Sequence, residues 1–225
     1  MDINYKGISV KTLREQTEAK IADTRSKKPE FMKAVDELIQ KSKEFKDGEK
    51  ATKPGELSPM FTLPNAKGES ISLKDLLSNG PVVLTFYRGS WCPYCNIQLR
   101  ALQERLEEIH ALGAQLVAIS PEFPDESMTT SEINAMDFTV LSDLNADVAA
   151  EFGIAWKVPE VLREHMRVDR NLDLEVINNG NGNTLPIPAT FIIKQDGTVS
   201  WSYVDVDYRR RSEPSDIIAE LEKVK

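Results

Sequence analysis

Both cysteines of this 225-residue chain fall in one stretch, LTFYRGSWCPYCNIQLRAL, residues 84–102, as Cys92 and Cys95. Three chemistries are open to such a pair: half of a metal site, two small buried apolar residues, or a redox dithiol. Zinc normally takes four protein ligands in a structural site. The chain offers only two histidines, His110 and His165. His110 follows on the same predicted helix, about 27 Å along its axis from Cys92, and His165 would have to fold back. A metal site within one chain is therefore poorly supplied, and the scarcity of histidine also weakens a Cys/His hydrolase. Inert buried cysteines fit badly with W-C-P-Y-C at the end of an apolar strand.

The dithiol reading has a physical basis in that position. PVVLTFY is a continuous run of strand formers, and the helical pattern begins at the cysteines. A helix start presents unpaired N–H groups and the positive end of the helix dipole, which favour a thiolate. Pro93 is well tolerated in a first helical turn. The spacing also allows a disulfide to close, so an attacking sulfur has its resolving partner beside it. Cys95, Leu99, Leu102, Leu106 and Ile109 recur at helical spacing and form one apolar stripe directed at the sheet. This places Cys95 inside and Cys92 nearer the mouth, making Cys92 the nucleophile and Cys95 the resolving thiol.

The elements that must hold the pair read as α/β. FTLPNAKGESISL carries a hairpin signal at 65–68. Ser72 caps a short helix, LKDLLSNG, that stops at Gly80. PVVLTFY is the central strand, buried on both faces. CPYCNIQLRALQERLEEIHALG is a helix ending at Gly113, and QLVAIS is a second strand. TTSEINAM reads as a helix, FTVLS as a third strand, and NADVAAEFG as a short helix with a glycine stop. PEVLREHMRVDRN is helical, and INNGNGNTLPIP is a loop or insertion that covers a site. ATFIIKQDGTVSWSYV is a hairpin turning at 195–197, and EPSDIIAELEKVK closes the chain as a helix with Pro214 in its first turn. Strands alternating with helices, then a terminal hairpin and helix, give a mixed central sheet.

Residues 1–50 differ. Leu13, Ile21, Phe31, Met32, Val35, Leu38 and Ile39 are spaced for two helices, broken where Pro29 suits a helix start. Residues 47–59 form a Gly/Pro linker. A solvated helical arm is the plain expectation, and a homodimer or partner surface the alternative. The net charge of −8 argues against a nucleic-acid partner. The Arg209-Arg210-Arg211 run is too short to reverse that and is expected in a solvated turn or near a helix start. The N-terminus lacks the apolar segment of a signal peptide and no stretch is apolar enough to span a bilayer. The expectation is thus a cytoplasmic protein with no membrane partner.

GELSPMFTLPNAKGESISLKDLL, PVVLTFYRGSWCPYC and PATFIIKQDGTV, in that order, resemble the peroxiredoxins, the alkyl hydroperoxide reductase/thiol-specific antioxidant family. The resemblance covers about residue 55 to the C-terminus. It implies a thioredoxin-like fold with the family's N-terminal hairpin extension, so that the domain spans 51–225 and the helical arm read above spans 1–50. It implies peroxide reduction without a cofactor, recycled by thioredoxin or another reducing thiol. The family's P-x-x-x-T/S-x-x-C signature, placed on the shared FY, puts the peroxidatic cysteine at Cys95, its Thr/Ser on Cys92 and its Pro on Arg88. The family's arginine before the T-F-I-I strand falls on Pro188. Arg88 or Arg100 is then the candidate to replace it. C-P-Y-C, Trp91 and Ile187-Pro188 are also similar to thioredoxins, where that proline is cis against the dithiol. Trp91, Pro93, Tyr94, Arg88 and Pro188 are accordingly the expected substrate contacts beside Cys92 and Cys95. Three functions stay open: a peroxidase, a thiol–disulfide oxidoreductase acting on disulfide substrates, and a non-catalytic redox sensor.

Overall fold

The computed structural model describes residues 11–44, 46–123, 136–178, 180–181 and 183–224. The helix expected over TTSEINAM lies almost wholly outside them. Two helices open the chain, α1 (Leu13–Lys27) and α2 (Pro29–Glu44), with Pro29 as the first residue of the second. Thr12 starts α1 with a capping box: its side chain accepts from the Glu15 amide, and Glu15 accepts from the Thr12 amide at 2.7 Å. The hairpin β1 (Thr62–Pro64) and β2 (Ser70–Ser72) follows, then α3 (Leu73–Ser78), whose cap is Ser72.

The central sheet has five strands in the order β5-β4-β3-β8-β9. Its members are β3 (Val82–Phe86), β4 (Gln115–Ser120), β5 (Thr139–Ser142), β8 (Ala189–Ile193) and β9 (Val199–Val204). The first three run parallel; β8 and β9 are antiparallel additions. The strand read as central, β3, sits in the middle with every residue buried. Between β3 and β4 lie α4 (Pro93–Glu104) and α5 (Leu106–Ala111). One continuous helix was the expectation for this stretch. The chain instead leaves helical geometry at Arg105 (φ −111°, ψ 11°), whose guanidinium pairs with Glu108 in the next turn. The stripe Cys95, Leu99, Leu102, Leu106 and Ile109 nevertheless stays buried along its whole length.

After α6 (Asp147–Glu151) comes the helix expected over PEVLREHMRVDRN, and the stretch expected as loop, 177–188, contributes a short strand. The segment 155–186 holds β6 (Ala155–Lys157), α7 (Glu160–Arg170), α8 (Leu174–Ile177) and β7 (Thr184–Pro186), with β6 and β7 paired. α9 (Pro214–Leu221) closes the fold.

Period-two alternation divides the core between the sheet's two faces. Val82, Leu84 and Phe86 of β3 join Phe191 and Phe152 on one side. Val83 and Ile192 join Leu102, Leu106, Ile109 and Ile217 on the other. Phe86, Phe152 and Phe191 form a closed aromatic triad, with centroids 5.0–6.1 Å apart. Phe191→Ala removes a fully buried ring from all these contacts. The expected cost is about 3–5 kcal/mol, read as a lower urea midpoint at unchanged slope.

The N-terminal helices are not a solvated arm. Met32, Val35 and Ile39 are buried, and Val35 and Ile39 pack with Leu162, Met166 and Leu185 of the β6–β7 segment. Phe31 stacks on His165 of α7 at 3.8 Å. An apolar stripe of this strength is buried wherever the fold offers a matching face, and α7 supplies one.

Candidate active site

Local sequence places the pair where chemistry needs it. β3 ends at Phe86, residues 87–91 turn, and Cys92 is the N-cap residue of α4 with Pro93 in the first turn. The turn requires glycine at 89. Its φ is +147°, and a Cβ there would lie 2.3 Å from Trp91 Nε1 and 2.8 Å from Glu122 Oε1. Glu122 holds the turn from the end of β4, accepting from the Ser90 amide at 2.7 Å and the Ser90 hydroxyl at 3.0 Å.

Both thiols are buried, Cys92 at 1% exposure and Cys95 at 0%. The expectation that Cys92 lies nearer solvent is thus not met, because Trp91, Tyr208 and Ile21 pack over the same cluster. What separates the two thiols is electrostatics. Burial pushes Cys92 up, but a hydrogen bond with Cys95 and the charges of Arg88 and Arg211 outweigh it and hold this thiol low, at about 5. Cys95 is pushed well above the thiol range by burial, then by its bond to Cys92 and the charge there; Arg211 opposes this. The two sulfurs thus titrate as one pair, lowered on the Cys92 side and raised on the Cys95 side.

Two arginines serve the pair. Arg88 is buried, its guanidinium 4.1 Å from the Tyr208 ring centroid and 4.9 Å from that of Trp91. Both are cation–π distances. Arg211 donates from Nη2 to Cys95 Sγ at 3.3 Å, and its Nη1 is anchored on the Tyr208 and Arg210 carbonyls. The expectation of a solvated arginine run is corrected here. Arg209 and Arg211 are both buried and only Arg210 is exposed. The run crosses back over the dithiol between β9 and α9; Arg209 is held by Asp207 and Asp36, and Arg211 has acceptors at Nη1 and Nη2 though none at Nε among the described residues. Arg100, the other candidate for the missing arginine, is exposed and bonds its own helix at Asn96 O.

Beneath α4 a polar row fixes the segment carrying Arg211. Ser212 donates to Thr190 Oγ1 at 3.1 Å, Thr85 and Thr190 hydroxyls meet at 3.1 Å, and Gln98 approaches Thr190 at 3.5 Å. The remaining expected contacts sit as follows. Pro93 opens α4. Tyr94 is buried edge-on to Tyr208, 5.8 Å between centroids. Trp91 accepts from Arg170 Nη2 at its carbonyl, at 3.0 Å. That bond brings the end of α7 onto the cysteine turn. Pro188 lines a cavity with Arg88 and Tyr208, but no peptide bond among the described residues is cis. The thioredoxin-like cis geometry at Pro188 is therefore absent. The chain passes from β7 into β8 across two residues, and Pro188 immediately precedes the strand, a position proline occupies in extended form. Arg211, Tyr208, Glu122 and Gln98 were not expected from sequence. No local pattern marks them, and only the return of the chain after β9 brings the first two to the site.

Comparison with known proteins agrees with this arrangement. Residues 54–202 match the model of the AhpC/TSA family, and the chain belongs to that family. It is similar to peroxiredoxin Bcp of Escherichia coli K12, 30% identical over 45% of this chain and 65% of that protein. It is also similar to a putative peroxiredoxin bcp of Haemophilus influenzae, 33% identical over 62% of this chain and 88% of that one. The match thus spans slightly under two thirds of the length of the Escherichia coli relative. Among solved structures, the peroxidoxin BcpB of Mycobacterium tuberculosis superimposes with a TM-score of 0.59 at 25% identity, covering 77% of this chain and 99% of that one. The AhpC of Enterococcus faecalis shares the fold at a TM-score of 0.57 and 16% identity, over 76% and 92% of the two chains.

Proposed function

We propose that this chain is a thiol peroxidase that reduces hydroperoxides through a Cys92/Cys95 dithiol–disulfide cycle. The observation that carries the reading is the pair itself: two thiols flanked by two buried guanidinia at a helix start, within an AhpC/TSA fold. The Cys92 thiolate attacks one peroxide oxygen and the O–O bond breaks. Sulfur is oxidised to the sulfenic acid and the other oxygen leaves as alkoxide or hydroxide, taking a proton. Negative charge moves from sulfur to the leaving oxygen, and the Arg88 guanidinium beside it stabilises that charge throughout. Cys95 then attacks the Cys92 sulfenic acid, forming the disulfide and releasing water. Its own ionisation is the unfavourable part, and Arg211 favours it by donating to the sulfur. An external thiol, thioredoxin or another cellular dithiol, reduces the disulfide by exchange. We place the cycle in the cytoplasm, which supplies such thiols; no described helix is long and apolar enough to cross a membrane.

A thiol–disulfide oxidoreductase is the second reading, favoured by the C-x-x-C spacing with a lowered thiol at its first position. Stopped-flow tryptophan fluorescence of the reduced protein separates the two, because Trp91 packs on the pair. The peroxidase reading expects oxidation by hydrogen peroxide at least 10²-fold faster than a free thiol gives. Oxidation at the free-thiol rate, with rapid reduction of insulin, would transfer the function to disulfide exchange.

A further inference from the structure

We propose that the N-terminal helices are a built-in cover that selects what reaches the dithiol by size, held shut by Asp36 of α2 across Arg209. The inference rests on the peroxidase reading for its biological sense. The structural observations are independent of that reading.

α1 and α2 lie outside the stretch that matches the family, 54–202. They nevertheless form part of the wall around the cysteines. Ile21 of α1 packs against the cluster that contains both thiols. Val35 and Ile39 of α2 line a cavity whose other walls include Arg88, Pro188 and Tyr208. The cavity is about 20 Å³, room for roughly one water-sized molecule. Its lining stops at Arg88 and Tyr208 and does not include either cysteine, so the size selection rests on the packing over the thiols themselves, where Ile21, Trp91 and Tyr208 close on their cluster. With both cysteines almost wholly inaccessible, a bulky molecule must wait until the helices move.

Beside the apolar packing of Val35 and Ile39, the helices have an ionic fastening. Arg209 grips Asp207 with two nitrogens, Nε at 2.7 Å and Nη2 at 2.9 Å. Its remaining Nη1 reaches Asp36 at 2.7 Å. Arg25 of α1 pairs with the other oxygen of Asp36 at 2.9 Å, tying both helices to one carboxylate. Glu213 adds a second fastening by accepting from the Leu13 and Arg14 amides at the start of α1, at 3.2 and 2.7 Å. Arg209 and Asp207 are buried while Asp36 is partly exposed. The fixed half of the latch is therefore pre-organised and the moving half is in contact with water. Arg209 belongs to the same run as Arg211, so the segment that serves Cys95 also fastens the cover over it.

The test uses the reduced full chain, Asp36→Ala and Ile21→Ala, with circular dichroism establishing that each variant is folded. Alkylation rates by iodoacetamide and by fluorescein maleimide are each normalised to free cysteine. The cover predicts that the native chain reacts at least tenfold more slowly with the bulky reagent than with the small one, on that scale. It predicts that the gap shrinks to threefold or less in Asp36→Ala, with the small-reagent rate within twofold. Hydrogen peroxide and cumene hydroperoxide should repeat the pattern. Equal normalised rates in the native chain, or an undiminished gap in both folded variants, overturns the proposal. A chain that shows the alkylation gap yet meets hydrogen peroxide at the free-thiol rate refutes the peroxidase reading and supports the cover. Rapid peroxide oxidation without the gap does the reverse.

Discussion

Cys92→Ser is expected to abolish rapid peroxide consumption, by at least roughly 10³-fold, the scale on which removing a nucleophile acts. Cys95→Ser is expected to keep one turnover: a single equivalent of peroxide is consumed and the reaction halts at the sulfenic acid, trapped by dimedone and visible by intact mass. The asymmetry follows from the site. Both thiols are equally inaccessible, so exposure does not choose between them. The charges do. Arg88 and the Cys95 thiol both favour anionic Cys92, while Cys95 faces burial and an adjacent negative charge. Placing the family signature on the FY of β3 nominates the opposite cysteine. Dimedone trapped on Cys95 in Cys92→Ser, with fast oxidation retained, would reverse the assignment and make Arg211 the guanidinium of the first step.

Arg88→Met is expected to slow oxidation by hydrogen peroxide at pH 6 by about 10²–10³-fold, the usual loss for one donor that stabilises transferred charge. Its second effect identifies the mechanism. The Cys92 thiol is held at about 5, below the ordinary thiol range, so the thiolate dominates at neutral pH and the native rate should be flat above pH 6. Lowering pH through 5 protonates the sulfur and the rate falls. The bond to Cys95, the largest lowering cause, and Arg211 remain in the variant, so without the Arg88 charge the folded pKa rises part of the way and the midpoint of the pH–rate profile should move up from the native one. Arg88→Lys keeps a charge but loses the planar contact with Trp91 and Tyr208, so it should recover the midpoint better than the rate. A slowed rate with an unmoved midpoint would reduce Arg88 to a packing residue.

The elements of this fold are read almost directly from the chain. The run at 81–87, rich in strand formers, reads as a strand buried on both faces, and β3 is the middle of the sheet. Pro29 and Ser72 start helices because a missing N–H or a side-chain acceptor suits those positions. The placement of the cysteine pair was legible for the same reason: a strand–helix junction is written in the local residue pattern and needs no distant partner. The inward stripe from Cys95 to Ile109 was legible too, since 3.6-residue periodicity survives the break at Arg105.

What the sequence left open are contacts between residues far apart in the chain. Arg211 lies 116 residues beyond Cys95, and Asp36 lies 173 before Arg209. A three-arginine run in an acidic chain looks like solvated surface unless the path after β9 is known. The apolar stripe of α2 says that the helix must be covered, but not by what. A second copy, a partner and the chain's own α7 satisfy periodicity equally, and only the closed tertiary structure selects the last. Local sequence thus determined that the chain carries its two cysteines together at a helix start. Long-range closure decided which guanidinia stand near the sulfurs and how deeply the pair is buried, because burial and charge at a point are set by everything that folds around it.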